Sequence, residues 1–137
     1  MSPTPPQRPA LRPAQQGIDA RAAAVNMLDA VLRKGVSLDE ALSQSRSLAA
    51  LEPRDRAFAR MMVATTLRRL GQIDAVISAF LKQPLPERAA VIQNILRLGV
   101  TQLLILETPA HAVVDNAVRL CVVVHQQGFK GLANAVL

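Results

Sequence analysis

Apolar residues recur at helical spacing along most of this chain. Over residues 86–106 they cover nearly the whole circumference of the helix they predict. Val91, Ile95, Leu98 and Gln102 share one face, and Ile92, Leu96, Gly99 and Leu103 lie beside them. Leu104 and Ile105 widen the apolar surface, leaving a narrow stripe through Gln93, Arg97 and Thr101 for water. A helix that is apolar over most of its circumference has to be surrounded by other helices. This stretch therefore predicts the central helix of an all-α domain. Gly99 costs about 1 kcal/mol of helix propensity relative to Ala, which implies close approach by another backbone at that point.

The same periodicity places the other elements. A first helix spans 18–34, with Ala24, Leu28, Val31 and Leu32 buried and Arg21, Asn26, Asp29 and Arg33 outward. Gly35 stops it. Ser37 with Glu40 three residues later reads as a capping box opening a short second helix, and 43–50 reads as a linker. Pro53 suits the first turn of a third helix whose core face is Phe58, Met61, Met62 and Thr65. A break at Leu70–Gly71 leads into a fourth, carrying Ile73, Val76, Ile77, Phe80 and Leu81 inward. Thr108-Pro109 ends the central helix. A sixth helix over 110–125 buries Val114, Val118, Cys121 and Val122, and a last helical segment spans 129–137. The expectation is a bundle of about six to seven helices.

Residues 1–16 hold five of the nine prolines together with Arg8 and Arg12, and read as a disordered basic tail. At 137 residues the remainder makes one domain, over 17–137. The chain stops on Ala-Val-Leu in mid-pattern, which suggests a piece of a longer protein. No apolar run approaches the ~20 residues of a membrane span, and no signal peptide opens the chain. The single cysteine, Cys121, excludes an internal disulfide and fits a reducing cytoplasm.

Charge sharpens the picture. Sixteen Lys and Arg against ten Asp and Glu give a formal +6, and the first partner that such an excess suggests is nucleic acid. Three Phe and no Tyr or Trp leave few rings for base stacking, so affinity for RNA would rest on phosphates and depend strongly on salt. No catalytic constellation is present. His111 and His125 stand a helix length apart, no Cys/His cluster has metal-ligand spacing, and the six glycines are scattered singly. Cys121 among valines and leucines reads as buried and inert. The arginines are the remaining signal. Arg54, Arg56, Arg60, Arg68 and Arg69 on the third helix, with Arg21 on the first, can form a basic surface, although at helical spacing Arg69 points away from the others. Local pairing, such as Arg56 with Glu52, accounts for several of them equally well.

Several short motifs occur in order: Asp55-Arg56, Thr66-Leu67-Arg68, Leu96-Arg97-Leu98-Gly99 with Gln102-Leu103, Pro109-Ala110-His111-Ala112, and Leu132-Ala133-Asn134-Ala135-Val136-Leu137. Together they resemble the NusB-like domain over residues 18–137. The Pro-Ala-His-Ala turn and the 37–42 segment look most like the N-terminal domain of the Sun/Fmu type of bacterial 16S ribosomal RNA methyltransferase. That resemblance implies a helical RNA-binding module that helps to position ribosomal RNA for a catalytic domain of the same protein. The S-adenosylmethionine site and nucleophilic cysteine would lie in that other domain, so this chain carries no cofactor, metal or catalytic residue. The candidate RNA-binding residues are Arg12, Arg21, Arg54, Arg56, Arg60, Arg68, Arg97 and Lys130. Two other readings stand beside it. One is a free-standing transcription antitermination factor, which in this family acts with a ribosomal protein. The other is a helical docking module without RNA affinity.

Overall fold

The computed structural model describes residues 13–124 and 127–137, and among them all regular structure is helical. Eight α-helices follow one another: α1 (Pro13–Leu32), α2 (Leu38–Gln44), α3 (Arg46–Ala49), α4 (Pro53–Arg68), α5 (Leu70–Phe80), α6 (Ala90–Val100), α7 (Ala110–Val123) and α8 (Lys130–Val136). The element beyond the expected seven is α3, formed inside the segment read as a linker. Ser45 Oγ accepts the Leu48 N–H at 3.1 Å, so one serine caps a helix that hydrophobic spacing alone does not reveal. Ser37 caps α2 in the same way, accepting from the Glu40 N–H at 3.2 Å.

The expected central helix is present but composite. A 3₁₀ turn, Glu87–Ala89, leads into α6, and a π turn, Thr101–Ile105, continues it. Its stabilising bonds include Leu106 N–H to Thr101 O at 3.0 Å; Thr108 N–H then reaches Gln102 O at 2.8 Å and Glu107 turns left-handed at φ 54°. α6 packs on α1, α4, α5 and α7. Two positions there differ from expectation: Thr101, expected toward water, is fully buried where α4 covers it, and Leu104, on the side of Gln93 and Arg97, is 64% exposed.

α1 is equally central. It touches α2, α3, α4, α6 and α7, and buries Ala20, Ala23, Ala24, Val25, Met27 and Leu28. Its alanines let neighbouring helices approach closely, a role that a count of large apolar residues underrates. Its end is set as expected: Gly35 at φ 72° lets the Val36 N–H turn back to Ala30 O at 3.1 Å. Its start lies earlier than expected, because Pro13–Gln16 form its first turn rather than the tail. Residues 1–12 with Arg12, and His125, lie outside the described residues.

Several inward assignments shift by one position around their helices. On α4 the buried residues are Ala59, Met62, Val63 and Thr66, while Met61 is exposed. On α7 they are Val113, Ala117, Leu120 and Cys121, while Val122 is exposed and Val114 and Val118 are half-buried. Leu32 and Phe80, each at a helix end, are exposed as well. Gly99 is buried, but what a side chain there would meet is Leu137, with Cδ1 2.6 Å from an added Cβ, and not a backbone.

Two polar links tie the layers. Thr66 on α4 and Thr101 in the π turn are both buried with their hydroxyls 2.8 Å apart, beside Met62 O and Arg97 O. One hydroxyl donates to the other, which in turn donates to its own helix backbone, so both are satisfied. Arg97 donates through Nε and Nη2 to the two carboxylate oxygens of Asp74 at 2.7 and 2.9 Å, and through Nη1 to Asn94 at 2.9 Å. That bidentate pair locks α5 onto α6.

Cys121 is wholly buried, and burial pushes its thiol pKa up. We expect the native chain to resist a thiol reagent such as DTNB at mildly alkaline pH and to react fully once unfolded. Prompt labelling of the folded chain would show that the α7 packing described here is wrong.

Candidate nucleic-acid interface

α4 carries four arginines against one aspartate, and its buried stripe leaves the opposite side to solvent. At 100° per residue, Arg60, Arg68 and Arg54 fall within about 120° of one another, around Ala57, Ala64 and Met61. All three arginines are exposed. From Arg54 to Arg68 the helix rises about 21 Å, the length of roughly six nucleotides of one duplex strand. Three ion pairs occur among the described residues, Asp29–Arg33, Asp74–Arg97 and Asp115–Arg119, and none uses these side chains. The expected Glu52–Arg56 pair is absent from that set. A row of long cationic side chains outside those ion pairs remains open to an external anion.

Arg56 lies to one side of this row. It is half-buried and lines a groove of about 610 Å³ between α4 and the α2–α3 segment, with Arg60, Ser43 and Ser45. Arg69 joins the row at its other end, although a continuous helix would have pointed it elsewhere. The chain breaks between α4 and α5 at Arg69 itself, and a surface depression of about 480 Å³ is bounded by Arg68, Arg69, Gly71 and Gln72. Helical spacing misses Arg69 as a site residue, although the break expected at Leu70–Gly71 could have shown that the spacing no longer holds there.

Arg21 was expected to face outward and does not. It is only 9% exposed, donating from Nε to Gln102 Oε1 at 2.8 Å and from Nη1 to Gly17 O at 3.1 Å, with its guanidinium 5.2 Å from the Phe58 ring centroid. Gln102 is held in turn by its amide bond to Leu98 O at 2.9 Å. The physical reason is that Arg21 lies on the side of α1 that α4 and Gln102 cover, while Asn26 keeps the solvent side. Burial pulls the Arg21 pKa below the usual arginine range. Arg97, expected on the wetted stripe, is committed to Asp74, and its side chain is 17% exposed. Lys130 is half-buried at the start of α8, which packs on α7, and is no part of the α4 row.

The fold and its charge define an all-α domain with a cationic helix face, and comparison with known proteins gives it a family. The chain belongs to the NusB family, whose model matches residues 18–137. It is similar to the ribosomal RNA small subunit methyltransferase B of Xanthomonas campestris pv. campestris, at 35% identity over 124 residues, 90% of this chain and 28% of that protein. The enzyme of the same name from Vibrio vulnificus is 31% identical over 120 residues, covering 88% of this chain and 28% of its own length. The chain thus spans just over a quarter of the curated relatives it matches. Two solved structures share the fold. The crystal structure of antitermination factors NusB and NusE in complex with dsRNA superposes with TM-score 0.75 at 23% identity, over 92% of this chain and 94% of the other. The crystal structure of a plectonemic RNA supercoil gives TM-score 0.76 at 24% identity, over 91% of each chain.

Proposed function

We propose that this chain is the RNA-binding domain of a 16S ribosomal RNA 5-methylcytosine methyltransferase, and that it holds ribosomal RNA for a catalytic domain elsewhere in the same protein. The observation that carries the RNA contact is the row Arg54, Arg60, Arg68 and Arg69, exposed and outside the ion pairs among the described residues. The methyltransferase assignment rests on the names and coverage of the relatives, which favour it over a free-standing antitermination factor. S-adenosylmethionine and the nucleophile would belong to the catalytic domain, and a ribosomal RNA substrate places the protein in the cytoplasm. Among the described residues no helix is long and apolar enough to cross a membrane. Val122 and Val123, 40% and 48% exposed at the end of α7, offer an apolar patch for that catalytic domain to cover.

The test is a titration of this chain with a 16S ribosomal RNA fragment at two salt concentrations. Four phosphate contacts on a single strand predict a slope near −3 in log K against log salt, or roughly 50-fold weaker binding between about 50 and 200 mM. No binding at the lower salt would leave only a docking role.

A further inference from the structure

Beside the arginine row, the first turns of α4 and the start of α1 border an open cavity of about 800 Å³ with Arg21, Glu52, Arg54, Asp55, Phe58 and Met61 in its wall. We propose that this cavity receives a single unstacked guanine base of the bound RNA; the proposal rests on the RNA-binding reading above. Arg21 is the first reason. It is a nine-tenths buried cation outside the ion pairs among the described residues, and its Nη2 has no hydrogen-bond partner there. Arg21 is part of the cavity wall, and Nη2 is its spare donor. Gln102, Gly17 O and Phe58 fix the rest of the guanidinium, which leaves a donor held in place before any ligand arrives.

The charge of the wall is the second reason. Two arginines and two carboxylates sum to zero, with Arg54 shared between the cavity and the end of the cationic row, so the cavity suits a neutral polar ligand better than a phosphate. Arginines only donate hydrogen bonds and carboxylates only accept them. Guanine is the base with two adjacent acceptors, O6 and N7, on one edge and two adjacent donors, N1–H and the N2 amine, on the next. Arginine to O6 and N7 is a recurrent guanine contact, and a carboxylate can accept from both donors. Met61, 44% exposed, supplies an apolar surface for the base plane, in a chain that has few rings for stacking.

Two measurements test this. An oligouridine with one central guanosine, titrated at about 200 mM salt to mute the phosphate contribution, should bind roughly tenfold more tightly than the same strand with adenosine. Asp55→Asn should remove that preference, so that the two strands bind this variant alike. In parallel, the Met61 methyl resonance should move on adding guanosine, a nucleoside without phosphate, and stay still with adenosine or inorganic phosphate. Equal affinity for the two strands, a guanosine preference that survives Asp55→Asn, or a Met61 shift caused by phosphate would each overturn the guanine site. If no oligonucleotide binds at any salt, the RNA-binding reading falls instead, and the guanosine shift still decides the cavity by itself.

Discussion

Leu96→Ala lowers the stability of the fold by about 3 kcal/mol, and Leu104→Ala, in the same apolar run, changes it by less than about 0.5 kcal/mol. The side chain, the substitution and the surrounding hydrophobicity are alike at the two positions, so the difference isolates burial. Leu96 is fully buried at the middle of α6, whose neighbours are α1, α4, α5 and α7. Truncation there removes the transfer free energy of the lost methyl groups and leaves a cavity between helices that relax only in part. Leu104 sits on the π turn and is 64% exposed, so Ala there gives up little packing. For a domain whose whole stability is of order 5–15 kcal/mol, the first change should lower Tm by roughly 10 °C, and the second by no more than about 2 °C. Thermal and denaturant unfolding followed by circular dichroism measure both. Similar losses at the two sites would mean that Leu104 is packed as deeply as Leu96.

That contrast also marks where the sequence stops being readable. Helical spacing of large apolar residues located α1, α4, α5, α6, α7 and α8 because each buries a stripe at that period, and Ser37 and Gly35 marked ends through local chemistry. The stripe misleads at two positions: Thr101 shares a side with Gln93 and Arg97 but is covered by α4, and Leu104, though apolar, falls on that same side and is exposed. It also fails where burial depends on small residues, as at Ala20, Ala23 and Ala24, whose packing value lies in what approaches them. α3 was hidden because four residues are too few to show a period, and only the Ser45 cap announces it. For the candidate site, the residue type was legible and the partner was not. Arg21, Arg54 and Arg97 look alike in a string of letters. Long-range neighbours make the first a buried donor beside Gln102 and Phe58, and the last half of an ion pair with Asp74, while leaving Arg54 in solvent.

The arginine row makes the larger functional prediction. Replacing Arg54, Arg60 and Arg68 together by Gln should weaken RNA binding on the order of 10²–10³-fold at about 50 mM salt. The same change should flatten the slope of log K against log salt by about 2. Glutamine keeps a long stem and a good helix propensity, so charge is the main thing removed. All three positions are exposed and outside the ion pairs among the described residues, so unfolding should be nearly unchanged. The matched control is Lys34, Lys82 and Arg88 changed together to Gln, which removes the same net charge from exposed positions outside α4. If attraction depended only on the formal +6, the two triple variants would lose affinity alike. If the row binds phosphates, only the α4 variant changes the slope, because the slope counts the contacts from which counterions are released and not the charge of the whole molecule. A flattened slope in the control and an unchanged one in the α4 variant would move the RNA to another face of the bundle. The cavity beside Arg54 would then rest on the guanosine titration alone, since an RNA that does not lie along α4 has no reason to present a base there.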